Sequence, residues 1–477
     1  MNLDLTVTIR DIMGICSASL VPARQSSLSG FIADRRITAI STDSRRLQSG
    51  NLFVAVSGEN FDGHDYVLQA LHAGAAAALV SDAWANEHLS EFDDSVTLLV
   101  VSDVLAGLQA LASWYRTRFE PEIVGVTGSS GKTTTKNMIA AVLSSQYSVL
   151  KTPGNLNSQL GLPQVIFELR RNHDMAVLEM GMNHLGEINR LAEICNPSVG
   201  VITNVGPVHL EFLGTIDGVA RAKGELLDHL SEKELAVLNA DDALVMGQRS
   251  RSRAKLVTFG LGEYANVRAR EIDAGFSSTV FALDDGSEFL LNIPGVHHVV
   301  NALAAIAVGQ SFGVRMSDMQ AALAALEPSD MRMDVQIVGN ITYINDTYNA
   351  NPDSVRAALG TLAISPGSGR RIAVLGDMLE LGKSSLQAHR DVGAEAAEVA
   401  DVLITVGNRA IDMAVGARAA GLTSSQIVEC ATTAEASGVL ENTVEDGDVV
   451  LVKGSRGMRM EEIVAHVSSA VTEDTVL

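Results

Sequence analysis

Residues Ile123 to Thr135, read as IVGVTGSSGKTTT, constrain this chain more than any other stretch. An apolar run (Ile123, Val124, Val126) ends in a turn of Gly128, Ser129 and Ser130 that closes on Gly131-Lys132-Thr133-Thr134. A segment with good helix content, Lys136 to Leu143, follows directly. Strand, glycine-rich loop and helix in succession make a phosphate-binding loop. Backbone N–H groups and the helix N-terminus face the phosphate oxygens, Lys132 adds a point charge, and Thr133 offers a hydroxyl to Mg2+. The strict pattern has glycine five residues before Gly131, where this chain has Val126; glycines at 125 and 128 bracket that position, so the loop is a variant. With 41 glycines in the chain, a chance Gly-Lys-Thr is the competing reading. The flanking strand and helix decide for a nucleoside triphosphate.

At 477 residues the chain is long enough for about three domains. It is 47% hydrophobic and 19% charged, a globular composition, with no apolar stretch long enough to span a bilayer. The opening MNLDLTVTIRDIM lacks a basic flank and an unbroken apolar run, so no signal peptide is expected. Cys16, Cys195 and Cys430 are too scattered for a disulfide framework or a metal cluster and read as buried free thiols. A cytoplasmic protein without integral membrane association is expected. The formal net charge of −22 repels nucleic acid and anionic membranes. The phosphate loop therefore implies a small nucleotide and no polynucleotide partner.

Short strand signals (52–56, 77–80) surround a helix-like Tyr66–Ala73 in the first hundred residues, and a helical pattern from about 103 leads into the phosphate-loop strand. Strand-like runs follow at 175–179, 199–203 and 235–238, with helical segments between them. The alanine-rich pieces at 70–78, 302–307 and 321–325 read as close-packed helices. Near Pro328 a new α/β series begins, with strands at 341–345, 371–375, 402–406 and 448–452. Such alternation indicates doubly wound, mostly parallel sheets. The expected organisation is α/β in three domains, 1–102, 103–328 and 329–477.

Within the middle domain, Glu179 ends a strand with a carboxylate, the usual place for a group that orients the Mg2+ of a triphosphate. Alone it is weak; Gly181-Met182-Asn183-His184 continues that loop. A second strand runs into Asn204-Val205-Gly206-Pro207-Val208-His209, and then comes Arg221-Ala222-Lys223-Gly224-Glu225. By themselves, His209 has a competing reading as a surface or packing histidine, and Lys223 reads as a solvated charge.

The strings VTGSSGKTTT, LEMGMNHLGEI, TNVGPVHLEFLG and ARAKGEL, in this order and spacing, resemble the Mur ligase family across essentially the whole chain. Those enzymes build the peptide of bacterial cell-wall precursors. The resemblance implies a central ATP-binding domain with a phosphate loop, flanked by a small N-terminal α/β domain for the UDP end of the substrate and a C-terminal Rossmann-like domain. It implies that Lys132 and Thr133 serve the ATP phosphates and Mg2+, that Glu179 and His209 hold magnesium, and that Lys223 is carbamylated into a metal-directed carboxylate. Magnesium prefers oxygen ligands and an ammonium would repel it. Asn155 and Asn157, in KTPGNLN, resemble the substrate-facing loop, although an ordinary Gly/Pro/Asn turn reads the same. Pro294 to Asn301 resembles the segment near the adenine, with Asn301 toward the base; His298 stands where relatives commonly have Asn and is given no role. Asn239-Ala240-Asp241-Asp242 is also family-like, or only a polar turn.

In the first domain, Thr42-Asp43-Ser44-Arg45-Arg46 is a polar loop before a strand. The resemblance makes Ser44 and Arg45 contacts to the pyrophosphate or uridine, since a hydroxyl and a guanidinium both suit phosphate oxygens. In the last domain, Ile344 to Ser354 (INDTYNANPDS) reads as an Asn/Pro turn with Asp353 or Ser354 capping the next helix. Its form resembles the branch that adds D-alanyl-D-alanine to UDP-N-acetylmuramoyl-tripeptide, as do AVLGDMLELG, His389 and VKGSRGM. Asn349 and Asn351 are then expected at the dipeptide, Asp346 at nucleotide or cationic groups, and Arg332 on the ATP phosphates after closure. A monomer is expected. Readings left open are a sister ligase adding the third residue, a folylpolyglutamate synthetase, a kinase sharing the loop, and a non-catalytic nucleotide-regulated module.

Overall fold

The computed structural model describes residues 1–21, 31–58, 61–92, 96–328, 330–366 and 369–474; residue 329, where the last domain was expected to begin, lies outside them. The chain forms two compact units. One takes Met1–Gly125, Tyr147–Gly181 and Glu187–Val199, and the other Val126–Gln146, Met182–Gly186 and Gly200–Leu477.

In the first unit a six-stranded sheet runs in the order Asn2–Thr8, Arg36–Ser41, Asn51–Val54, Ala77–Ser81, Leu98–Val101, Ser19–Val21. Its four inner strands are parallel and its two outer ones antiparallel. Phe53, Val67, Ala70, Ala78, Val80 and Leu98 fill one face. The alanine-rich 70–78 segment is thus only partly helical. The helix ends at His72 and Ala77 starts a strand, because these small side chains are buried between strands on both sides. Asp103 caps the helix Val104–Arg116, which buries Leu108, Leu111 and Tyr115. The Tyr115 hydroxyl donates to Leu169 O at 3.1 Å and accepts from Asp4 N at 2.9 Å, tying three distant segments. The parallel pair Val149–Lys151 and Met175–Glu179 brings Thr152 and Glu179 to one end.

In the second unit, strands Leu235–Asn239, Lys255–Gly260 and Val267–Ala274 pair in parallel. Thr279–Leu283 and Glu288–Leu291 then add antiparallel strands that the sequence reading did not anticipate. The helices Lys132–Ser144 and Val296–Ser311 pack together, with Ala302 to Ala307 buried as expected. A further sheet runs Asp334–Val338, Ile341–Asn345, Val449–Lys453, Arg371–Gly376, Val402–Val406, Ile427–Cys430, parallel except for the first pair. Two apolar cores cover its faces, one around Leu359, Leu375 and Val392, the other around Val374, Val452 and Ile463. In such a sheet the loops at the carboxyl ends of the strands form the ligand crevice. Here those are 346–351, 377–382, 407–410 and 454–458. All three cysteines are free; Cys195 and Cys430 are buried, whereas Cys16 is half-buried.

Candidate functional site

The strand Glu122–Thr127 passes through the glycine loop into a helix that begins at Lys132, four residues before the onset expected from sequence. Lys132 and Thr133 therefore stand in its first turn, where backbone N–H groups have no partner within the helix. Gly128 has φ +153° and Gly131 φ +77°. A Cβ at 128 would lie 1.8 Å from Thr203 Oγ1, and one at 131 would lie 2.5 Å from Asn301 Oδ1. Both backbones favour glycine, and at 128 a side chain would also collide with Thr203.

The loop is clamped from behind. Thr203 Oγ1 donates to Ser130 O at 2.7 Å, Asn204 Nδ2 donates to the same oxygen at 3.1 Å, and Ser130 N donates to Asn204 Oδ1 at 2.8 Å. Gly206 N donates to Ser129 Oγ at 2.8 Å, and that hydroxyl donates to Gly206 O at 3.1 Å. Lys132 Nζ donates to Gly128 O at 2.8 Å, which carries its ammonium across the loop. Thr134 is buried, and Thr135 Oγ1 donates to Asn301 Oδ1 at 3.2 Å. Asn301, expected at the adenine, thus braces the loop. Thr203 and Asn204 stood in the motif TNVGP; their clamping role was not foreseen, because it depends on partners about 73 residues away.

Arg332 reaches this loop: its Nη2 donates to Thr133 Oγ1 at 3.0 Å, and its guanidinium lies 3.8 Å from the Tyr348 ring centroid. Its neighbours Met331 and Met333 have φ of +58° and +52°, unusual for residues with side chains. Met333 N to Asp346 Oδ1 (3.2 Å) and Tyr348 N to Met331 O (3.1 Å) hold that backbone. Asp346 also pairs with the buried Lys453, Nζ to Oδ2 at 2.5 Å. Lys453 Nζ donates to Asn349 O as well, at 2.9 Å. Asn349 Oδ1 accepts from Ala350 N at 2.9 Å and Arg456 N at 3.3 Å.

Asn351 is the N-cap of the helix Pro352–Ala363, and Ser354 completes a reciprocal capping box with it, Asn351 N donating to Ser354 Oγ at 3.0 Å; Asp353 takes no part in the cap. Asn351 Oδ1 accepts from Ser354 N at 2.9 Å and its Nδ2 donates to Ser130 Oγ at 2.9 Å. Both ends of this side chain are thus engaged within the protein.

Lys223 lies on the helix Ile216–Gly224 and is 2% exposed, so the solvated-charge reading fails. Burial, and secondly the charge of Lys132, push its amine well below the usual lysine range. His209 precedes the short helix Leu210–Leu213 and meets Glu380 through Nδ1. That bond, opposed by burial, holds the Glu380 carboxyl below its usual range.

In the other unit Glu179 is 2% exposed; its Oε1 accepts from Asn157 Nδ2 at 2.7 Å and its N–H donates to Thr152 Oγ1 at 3.0 Å. Asn157 N donates to Asn155 O at 2.7 Å, and Asn155 is exposed. Asn157, expected at the substrate, is thereby joined to Glu179, the expected metal carboxylate. Ser44 opens a 3-10 turn in which Arg45 lies at the surface, its Nε on Asp43 Oδ1 at 2.9 Å. The Asn239 to Asp242 turn is structural: Asp242 caps the helix Ala243–Gly247 and accepts from Val205 N at 2.7 Å, while Asp241 accepts from Leu261 N and Gly262 N.

Among the described residues no three His, Cys, Asp or Glu side chains gather as a metal site. The expected magnesium set has only two of these types, Glu179 and His209, with Thr133 and Lys223. A buried amine shifted toward its neutral form is the state that adds CO2, and a carbamate on Lys223 would present oxygen donors of the kind a hard cation takes.

Three family models match the chain: "Mur ligase family, catalytic domain" over 36–116, "Mur ligase middle domain" over 126–309 and "Mur ligase, glutamate ligase domain" over 331–456. The UDP-N-acetylmuramoyl-tripeptide–D-alanyl-D-alanine ligase of Bacillus subtilis is 36% identical over 431 residues, 90% of this chain and 92% of that protein. The crystal structure of MurF from Acinetobacter baumannii superposes with a TM-score of 0.87 at 32% identity, covering 98% of this chain and 100% of that one. MurF ligase from Thermotoga maritima, solved in complex with ADP, has a TM-score of 0.78 at 29% identity over 91% of this chain and 98% of that one.

Proposed function

The chain belongs to the Mur ligase family, and on that premise we infer that it is an ATP-dependent amide ligase joining D-alanyl-D-alanine to UDP-N-acetylmuramoyl-tripeptide. The products are UDP-N-acetylmuramoyl-pentapeptide, ADP and phosphate, in the synthesis of peptidoglycan precursors. A terminal carboxylate oxygen of the tripeptide attacks the γ-phosphorus of ATP, and the bond to the bridging oxygen breaks with its electron pair leaving on ADP. The resulting acyl phosphate is open to attack, as a carboxylate is not. The free amine of the dipeptide adds to its carbonyl carbon and loses a proton; phosphate departs with the C–O electron pair.

The protein contributes positioning and charge. Lys132 and the loop from Gly128 to Thr134 are assigned to the β- and γ-phosphates, and Arg332, which donates to Thr133 Oγ1 on that loop, to the γ-phosphate. Thr133, Glu179, His209 and carbamylated Lys223 are the groups proposed to hold magnesium, which when bound neutralises phosphate charge and polarises the γ-phosphoryl group. Ser44 and Arg45 are assigned to the UDP end, Asn155 and Asn157 to the substrate loop, Asn301 and Asp346 to the nucleotide side, and Asn349 and Asn351 to the dipeptide side. The engagement of Asn351 with Ser130 gives it a second role, linking dipeptide recognition to the phosphate loop. The working parts are read as 1–102, 103–328 and 329–477, in a cytoplasmic monomer. No helix among the described residues is long and apolar enough to cross a membrane.

The buried, downshifted Lys223 carries the carbamate reading. Lys223→Ala is expected to lose about 100-fold or more in kcat, and formate or acetate in the assay is expected to restore part of it by supplying the missing carboxylate oxygens. Wild-type enzyme depleted of CO2 is expected to slow and to recover on addition of bicarbonate. Wild-type rates in Lys223→Ala, or indifference to CO2, would show Lys223 to be an ordinary buried lysine.

A further inference from the structure

We propose that Glu380 is a positioning residue for His209, fixing which imidazole nitrogen carries the proton. The inference rests on the reading of His209 as a magnesium partner. The two residues are 171 apart in sequence, yet His209 Nδ1 lies 2.5 Å from Glu380 Oε2. The loops that carry them also meet through their backbones. Glu211 N donates to Glu380 O at 3.2 Å, and a Cβ on Gly382 would lie 3.1 Å from Glu211 Cα.

Both residues sit at left-handed φ, +52° for His209 and +63° for Glu380. Such backbone is unfavourable for residues with a side chain. The pair does not repay that as a stabilising ion pair. Its side chains remain 22% and 43% exposed, and solvent screening leaves pairs at that exposure little net stabilisation. What the geometry does accomplish is orientation. An ionised carboxylate only accepts hydrogen bonds, so Nδ1 must be the donor, and in the neutral ring Nε2 then keeps its lone pair. A neutral imidazole without such a partner favours the opposite tautomer, with the proton on Nε2, where it blocks a metal or a metal-bound water. Carboxylates that accept from the remote nitrogen of a ligating histidine act in this way.

Glu380 comes from the loop after strand Arg371–Gly376, in a different sheet from the strand leading to His209. The proton on His209 is therefore set by a loop that must be docked against it. The metal site is completed only with that loop in place.

The test compares full-length wild type with Glu380→Ala, Glu380→Gln and His209→Ala. Nitrogen-15 NMR of labelled histidine, at a pH where the ring is neutral, reads the tautomer. A Mn2+ titration of the ADP complex reads affinity, and a melting curve checks folding. Wild type is expected in the Nδ1–H form. Glu380→Ala should shift to Nε2–H and bind Mn2+ about 10- to 100-fold more weakly. Glu380→Gln, whose amide oxygen still accepts from Nδ1–H, should stay within about threefold of wild type, a rescue that loss of packing would not give. If folded Glu380→Ala keeps the Nδ1–H form and wild-type Mn2+ affinity while His209→Ala loses that affinity, the positioning role falls and the metal reading of His209 stands. If His209→Ala itself binds Mn2+ as wild type does, the metal reading falls and takes this proposal with it.

Discussion

Lys132→Ala is expected to abolish ligation, with kcat falling about 1000-fold or more, while the protein melts within a degree or two of wild type. Three decades of rate correspond to about 4 kcal/mol of transition-state stabilisation. That size is reasonable for a cation aimed at the charge that spreads over the γ-phosphoryl oxygens. The stability expectation follows from its position: Lys132 is half-exposed at the first turn of its helix, and its ammonium donates to a loop carbonyl rather than filling a core. Turnover by single-turnover kinetics and folding by calorimetry check the two halves separately. Near-normal turnover with unchanged ATP affinity would overturn the phosphate-loop assignment. A collapse in melting temperature would recast Lys132 as structural.

Gly128→Ala should be the most damaging small substitution in the loop. The new methyl would lie 1.8 Å from Thr203 Oγ1 and 3.3 Å from Asn204 N, at a backbone φ of +153°. Adding the strain of a side chain in that conformation to the cost of overpacking gives about 2–5 kcal/mol of destabilisation. The clash also expels the Thr203 hydroxyl from its bond to Ser130 O, so the cradle loses shape as well as stability. Denaturant melts should therefore show a lower midpoint, and the apparent KM for ATP should rise by about tenfold or more. Thr203→Ala added to Gly128→Ala removes the nearest clashing atom and should recover part of the stability; recovery of none would place the damage elsewhere. Gly131→Ala should be milder, because its obstacle is the Asn301 carboxamide, a side-chain end that can turn aside.

Those two glycines also show where local pattern suffices. The apolar runs that became Met175–Glu179, Ile341–Asn345 and Val402–Val406 are buried strands of parallel sheets, and continuous β-branched and aliphatic runs announce them. The hairpin strands Val267–Ala274, Thr279–Leu283 and Glu288–Leu291 were missed. They mix buried and exposed positions, and charged residues such as Arg268, Arg270 and Glu288 mask the alternation. The helix onset at Lys132 was misplaced because Thr133, Thr134 and Thr135 are poor helix formers. Tertiary packing overrides them: all three threonines are buried, and their helix packs on the helix Val296–Ser311.

The site divided in the same way. The place of Lys132 and Thr133 just after the glycine loop and of Glu179 at a strand end followed from local pattern, whereas the burial of Lys223 did not, since its neighbours alone make it a solvated charge. The dual bonding of Asn351, the bracing by Asn301 and the contact of Glu380 with His209 were not legible either, since each partner lies between 166 and 221 residues away. Local spacing carries no trace of such pairs. They exist because the ends of several strands are folded to one place.

Ligation of this dipeptide to this carboxylate is tested most directly by following ADP and phosphate release while each substrate is offered alone and together. With ATP and magnesium present, release should be stoichiometric with amide bond formation and should require both UDP-N-acetylmuramoyl-tripeptide and D-alanyl-D-alanine. Single amino acids should serve poorly in place of the dipeptide. Equal or better use of a free diamino acid or glutamate would reassign the chain to a sister ligase of the same fold, and ADP release with neither acceptor would contradict the ligase reading altogether.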